Sequence, residues 1–225
     1  MLRKYFINST VLILFLLMLL GCSTTEYAQN EQAKKSNADL EALFWQRIEQ
    51  SRSNFSPADV DFMIGMIGHH AQALVMSSLA DQNSNRRDIK TLAARITNAQ
   101  TDEIWLMQQW LRDRNQIVPE YSINGIELTV RGGAHTINHR NMPGVLTDSQ
   151  LRELRDAQGA DFDRMYLTFM IQHHEGAVYM VRELFAQDGA ALDEEVFRLA
   201  SDIHVEQITE IERMQSMLDA MAASN

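Results

Sequence analysis

Four of the seven histidines in this chain stand in two adjacent pairs, His69-His70 and His173-His174. Each pair sits in the same frame. Met66-Ile67-Gly68-His69-His70-Ala71-Gln72-Ala73-Leu74-Val75-Met76 returns as Met170-Ile171-Gln172-His173-His174-Glu175-Gly176-Ala177-Val178-Tyr179-Met180, so Met, Ile, His, His, Ala and Met recur at a spacing of 104. Neutral imidazole and thioether form a soft to borderline donor set, which suits Cu(I), and Ag(I) as its analogue, better than Mg, Ca or Mn. Thioethers carry neither charge nor proton, so they can take a soft monovalent cation into an interior without burying several anions. Zinc would call for cysteine, more histidine or carboxylate.

On a helix, Met63, Met66, His69, His70, Ala73 and Met76 share one face, an arc of roughly 140° at about 100° per residue. Met170, His173, His174, Ala177 and Met180 repeat those angles, whereas Leu167 replaces Met63 and cannot ligate. The small Ala73 and Ala177 at the centre of each arc let a facing helix come close. Adjacent histidines diverge by ~100°, so both cannot aim at one central point. One of each pair is expected to ligate and the other to make a structural hydrogen bond, and spacing does not say which. Glu103 and Glu210, on neighbouring helices, are the expected acceptors that orient the imidazoles. Outside the repeat, His135, His139 and Met142 are further candidate donors in a loop. Met107, Met214 and Met217 are read as core filling, the commoner role of methionines at helical spacing.

The elements that must position these groups are helices. Three prolines and ten glycines in 225 residues, with long runs of Ala, Leu, Met, Gln, Glu and Arg, favour helix nearly throughout. Ser56-Pro57-Ala58-Asp59 starts a helix that carries the first pair to about Ala80. A turn at 81–85 leads to a second helix over about 86–115. Thr147-Asp148-Ser149-Gln150 is a capping box before a short helix. A long helix over about 161–186 carries the second pair, and a last helix covers about 193–222. Ile96, Gln100, Glu103, Ile104, Met107 and Leu111 correspond to Ile203, Gln207, Glu210, Ile211, Met214 and Leu218 at a spacing of 107. Each half is thus a helical hairpin. Two hairpins that bury their apolar faces against each other predict an all-α, four-helix bundle with a long crossover, spanning 56–222. Pro119, Gly125, Gly132, Gly133, Pro143 and Gly144 crowd the crossover, with a short extended piece expected at 126–130.

Residues 1–21 read as a lipoprotein signal peptide. Arg3 and Lys4 precede an apolar core at 11–20 that ends in Leu19-Leu20-Gly21-Cys22, similar to the lipobox in which the cysteine becomes the lipidated N-terminus. As the only cysteine, Cys22 excludes an internal disulfide. Ser23 after it matches sorting to the outer membrane, facing the periplasm. Residues 22–36 read as a flexible tether and 37–53 as a short accessory helix. The net charge of −10, about −12 once Arg3 and Lys4 are removed, excludes nucleic acid as a partner of bulk electrostatics.

The doubled Met-Ile-x-His-His-x-x-Ala-x-x-Met frame, the Gln-x-x-Glu-Ile-x-x-Met helices and Met142-Pro143-Gly144-Val145-Leu146-Thr147 together resemble the bacterial domain-of-unknown-function family numbered three hundred and five. That family includes CopM-type periplasmic copper-binding proteins and has a ferritin-like fold. The resemblance covers about 56–218. It implies Cu(I) or Ag(I) held by Met66, His69, His70, Met76, Met170, His173, His174, Met180 and Met142. Val145 departs from the fuller Met-Pro-Gly-Met segment and the chain has no Met-rich tail, which lowers the expected number of sites.

The reading is a lipid-anchored envelope protein, not an enzyme, that buffers copper or passes it to a copper-handling partner. Its alternatives are a metal-free helical envelope scaffold and a ferritin-like di-metal oxidase. Against the oxidase, neither histidine pair has a glutamate three residues before it, as such centres require.

Overall fold

The computed structural model describes residues 32, 34–47, 49–50, 52–133 and 135–223, residues 135 and 136 by their backbone alone. The signal stretch, the lipidation site Cys22 and most of the tether lie outside the described residues. The chain divides into two units at residue 50. In the first, residues 34–47 are helical and exposed.

The second unit is a bundle of four long helices: α1 (Pro57–Ser78), α3 (Arg87–Asp113), α5 (Gly159–Ala186) and α6 (Glu194–Ala223). The short α2 (Ala80–Asn83) joins α1 to α3, and α4 (Asp148–Asp156) precedes α5. α1 opens with a full capping box between Ser56 and Asp59, with Pro57 in its first turn. Asp59 also acts at long range, since its other oxygen accepts the Ala191 backbone N–H at 2.7 Å and so holds the α5–α6 turn against the start of α1. At the opposite end, Ser77 Oγ and Tyr166 OH lie 3.1 Å apart, so α1 and α5 run antiparallel. α1 packs on α3, α5 and the sheet. That central position explains why it is buried continuously from Gly65 to Ser77, with no polar face.

The crossover from α3 to α5 is more ordered than a Gly- and Pro-rich stretch predicts. In place of one short extended piece it forms an antiparallel sheet of β1 (Pro119–Asn124), β2 (Glu127–Gly132) and β3 (His135–Thr136), in that order. Gly125, at φ +60, takes the turn between β1 and β2, a conformation that suits glycine. Leu128 and Val130 of β2 are buried, and the alternate pattern lays that face on α1. The crossover then returns to α1 through Gln72, whose amide donates to the Leu146 carbonyl at 3.0 Å and accepts the Leu146 N–H at 2.7 Å. One side chain thus imitates a strand partner. The expected capping box at Thr147 and Gln150 is present, and α4 follows it.

One buried ion pair locks α3 to the beginning of α6. Arg114 Nε donates to Asp193 at 3.1 Å, both side chains are nearly inaccessible, and the guanidinium lies 4.4 Å over the Trp110 ring.

Candidate metal centre

α1 and α5 each turn one imidazole of the pair toward the partner helix of the same hairpin. His70 Nε2 lies 2.7 Å from Glu103 Oε2, and His174 Nε2 lies 2.7 Å from Glu210 Oε2. With Nε2–H donating to the carboxylate, Nδ1 keeps its lone pair, and in both rings Nδ1 is buried without a protein partner. The other two imidazoles meet between the halves: the His69 and His173 rings are 3.9 Å apart, inclined at 42°. His69 Nε2 faces the Pro143 carbonyl at 3.0 Å and must donate to it, which again leaves Nδ1 free. Neither nitrogen of His173 has a partner.

The second feature is the strap Met142-Pro143-Gly144, which lies between α1 and α5 because two glycines admit it. A Cβ on Gly176 would fall 2.0 Å from the Pro143 oxygen, and one on Gly144, itself at φ +76, would fall 2.5 Å from the Gln172 carbonyl. The Met142 and Met180 methyl groups both come within 3.5 Å of where a Gly65 Cβ would stand. Gly65 and His69 are one turn apart on the same face of α1, so Met142 of the strap and Met180 of α5 lie against the turn of α1 that precedes His69, whose Nδ1 is unpartnered.

Burial keeps the His69 and His173 rings neutral. The His69 pKa falls to about 3, because burial disfavours the imidazolium and the neighbouring His70 adds to the effect, against a smaller opposing pull from Pro143. His173 is held well below the usual range by burial and then by His69 and His174. A neutral imidazole is the form that ligates. Glu206 is pushed up by burial and by the charges of Glu103 and Glu210, which places a third carboxyl beside the two acceptors.

Met66, Met76 and Met170 are fully buried, Met142 and Met180 partly so. The donors are therefore brought inside, but not to one point. His70 and His174 are drawn toward opposite partner helices, their rings 6.4 and 6.3 Å from those of His69 and His173. Among the described residues no three His, Cys, Asp or Glu groups are arranged to hold a metal ion. The other potential donors in this interior are thioethers. Met107 and Met214 are core residues, as expected. Of the loop candidates, His139 packs over Gly68, its Cβ 3.0 Å from where a Gly68 Cβ would be, and its Nδ1 is unpartnered. The His135 side chain lies outside the described residues.

Two features carry no role in the sequence reading. Gln100 and Gln207, each 1% exposed, have both amide atoms unpartnered, one turn from Glu103 and Glu210. Gly144 and Gly176 admit the strap. The glutamines stood out in the repeated Gln-x-x-Glu pattern, and the glycines had no local signal.

A duplicated all-helical bundle with a buried methionine and histidine interior is the class defined by this fold and site. The chain belongs to the DUF305 family, "Domain of unknown function (DUF305)", whose profile matches residues 59–218. It is similar to a DUF305 fragment from Deinococcus radiodurans, at 29% identity and a TM-score of 0.59 over 74% of this chain and 98% of that one. A DUF305 protein from Streptomyces coelicolor, at 24% identity and a TM-score of 0.59, covers 73% of this chain and 94% of its own, and shares the fold. CopM in its Cu(I)-bound form is similar at 26% identity, with a TM-score of 0.53 over 72% of this chain and 96% of that one. CopM is also known in Cu(II)-bound and Ag-bound forms, each 27% identical to this chain. No protein of curated function matches the chain.

Proposed function

We propose that this protein is a lipoprotein of the bacterial envelope that binds Cu(I), with Ag(I) as its analogue, and buffers the ion or hands it to a copper-handling partner protein. The observation that carries the reading is the meeting of Met142 and Met180 over Gly65, one turn from His69 and its unpartnered Nδ1. Two thioethers and a neutral imidazole are a donor set for a soft monovalent cation, and they need lose no proton to bind it. The copper- and silver-bound forms of CopM support the same chemistry. Met66, Met76, Met170, His70, His173 and His174 complete the candidate interior, with Glu103 and Glu210 orienting two of the imidazoles. The membrane link is the acylated Cys22, at the outer membrane facing the periplasm. No described helix is long and apolar enough to cross a membrane.

Anaerobic titration against a Cu(I) chelator tests the metal reading. Stoichiometric binding is expected in the native chain and its loss in the His69/His70/His173/His174 quadruple alanine variant; equal binding by both defeats the proposal. A second reading, a metal-free helical scaffold, is favoured by the two His–Glu bonds and by the absence of a three-ligand His and carboxylate group among the described residues. It predicts protein purified from its native host without stoichiometric metal, which elemental analysis reads directly. Mass spectrometry of the mature chain tests the anchor: an acyl mass on Cys22 is expected.

A further inference from the structure

The helix over residues 34–47 leaves its largest apolar side chains uncovered: Leu40 is 61% exposed, Leu43 43%, Phe44 57% and Trp45 57%. Leu40, Leu43 and Phe44 fall within an arc of ~100° on a helix. The Trp45 ring flanks that face, edge-on to Phe44 with centroids 5.4 Å apart. A stripe of this kind in water needs an occupant.

Charge and chain length say which. Residues 34–50 carry three bases (Lys34, Lys35, Arg47) and three acids (Asp39, Glu41, Glu49), whereas residues 52–225 carry 15 bases and 25 acids. The whole formal charge of −10 therefore belongs to the body, and an anionic bilayer surface repels the body but not the helix. Cys22 precedes Lys34 by twelve residues, a span of at most about 40 Å when fully extended. An acyl chain on Cys22 thus holds the helix close to the headgroups, where tethering makes even a weak partition effective. Amphipathic helices with an aromatic at the edge of the apolar face settle in that zone.

We infer that the Leu40, Leu43 and Phe44 face of this helix lies in the headgroup region of the membrane that carries the lipid anchor, with Trp45 at its border. The helix is then a second membrane contact beside the acyl group. The inference rests on the lipid-anchored reading above.

The test uses the mature, acylated full chain in phosphatidylcholine and phosphatidylglycerol vesicles whose lipids are brominated near the glycerol end of the acyl chains. The emission assigned to Trp45, taken as the difference between the full chain and W45F, is expected to be largely quenched. A chain carrying L40D, L43D and F44D is expected to stay on the vesicles and lose that quenching. Anchored chain with unquenched Trp45 overturns the inference. So does a Trp45 shielded from both bromine and aqueous iodide, which would place the face on the body or on a second copy. If Cys22 carries no acyl mass the anchor reading fails, and the same quenching with vesicles added to the unanchored chain still decides the helix face.

Discussion

The imidazoles of His69 and His173, one from each half of the duplication, lie 3.9 Å apart between ring centroids, at an inclination of 42°. Both are fully buried, and only His69 has a hydrogen-bond partner, the Pro143 carbonyl. The consequences of that neutral, under-bonded contact can be measured.

Stability should fall with acidity. The His69 pKa drops from 6.5 to about 3 on folding, so between these values the unfolded chain binds more protons than the folded one. The stability this group contributes is full above the unfolded value and is lost as pH falls from about 6.5, by up to about 1.4 kcal/mol per pH unit. His173, lowered for the same reason, acts in the same direction. Urea midpoints at steps from pH 7.5 to 4 should decline, and less steeply in H69Q/H173Q. A chain that gains stability on acidification contradicts the burial argument.

Silver binding at constant folded fraction should change little between pH 7.5 and 5, because His69 stays neutral in the folded state across that interval. A free histidine would lose a large share of its affinity there as its ring protonates. Competition titrations at matched ionic strength would show the difference.

Glu103→Ala and Glu210→Ala each leave an imidazole N–H buried without an acceptor. A loss of about 1–3 kcal/mol is expected for each. If the imidazoles hold metal, affinity should fall about 10- to 100-fold as well, since the tautomer is no longer fixed. Denaturant unfolding and chelator competition read the two effects separately.

Gly176→Ala should displace the strap. Its Cβ would stand 2.0 Å from the Pro143 oxygen, so Met142 must move from its place over Gly65 although no donor has been removed. A cost of about 1–3 kcal/mol is expected from overpacking. Weakened Ag(I) binding equal to that of M142L would show that the strap presents the thioether; unchanged binding would separate Met142 from the site.

Asp193→Ala breaks the buried Arg114 pair and removes an acceptor for the Trp110 indole. About 3–5 kcal/mol of stability should be lost in thermal or urea unfolding. Because this pair sits at the α3–α6 end and touches none of the candidate donors, metal stoichiometry of the folded fraction should not change.

The sequence alone determined the four long helices, the capping boxes of α1 and α4, the pairing into hairpins and the burial of the His pairs, and it pointed to Glu103 and Glu210 as their partners. Those features are local or periodic: a capping box, a 3.6-residue rhythm, a doubled motif. The tertiary structure decided where the two copies stop matching. Gly65, Gly68 and Gln72 of α1 correspond, at the spacing of 104, to Phe169, Gln172 and Gly176 of α5. Only in the fold do these mismatches make sense: Gly65 lies against Met142 and Met180, Gly68 admits His139, Gln72 grips Leu146 and Gly176 admits Pro143. The descent of the strap between α1 and α5 arises from contacts between residues about 70 or more positions apart in one direction and about 30 in the other. No periodicity reports such contacts, because they depend on the space that one segment leaves for another, and that space exists only once both helices are packed.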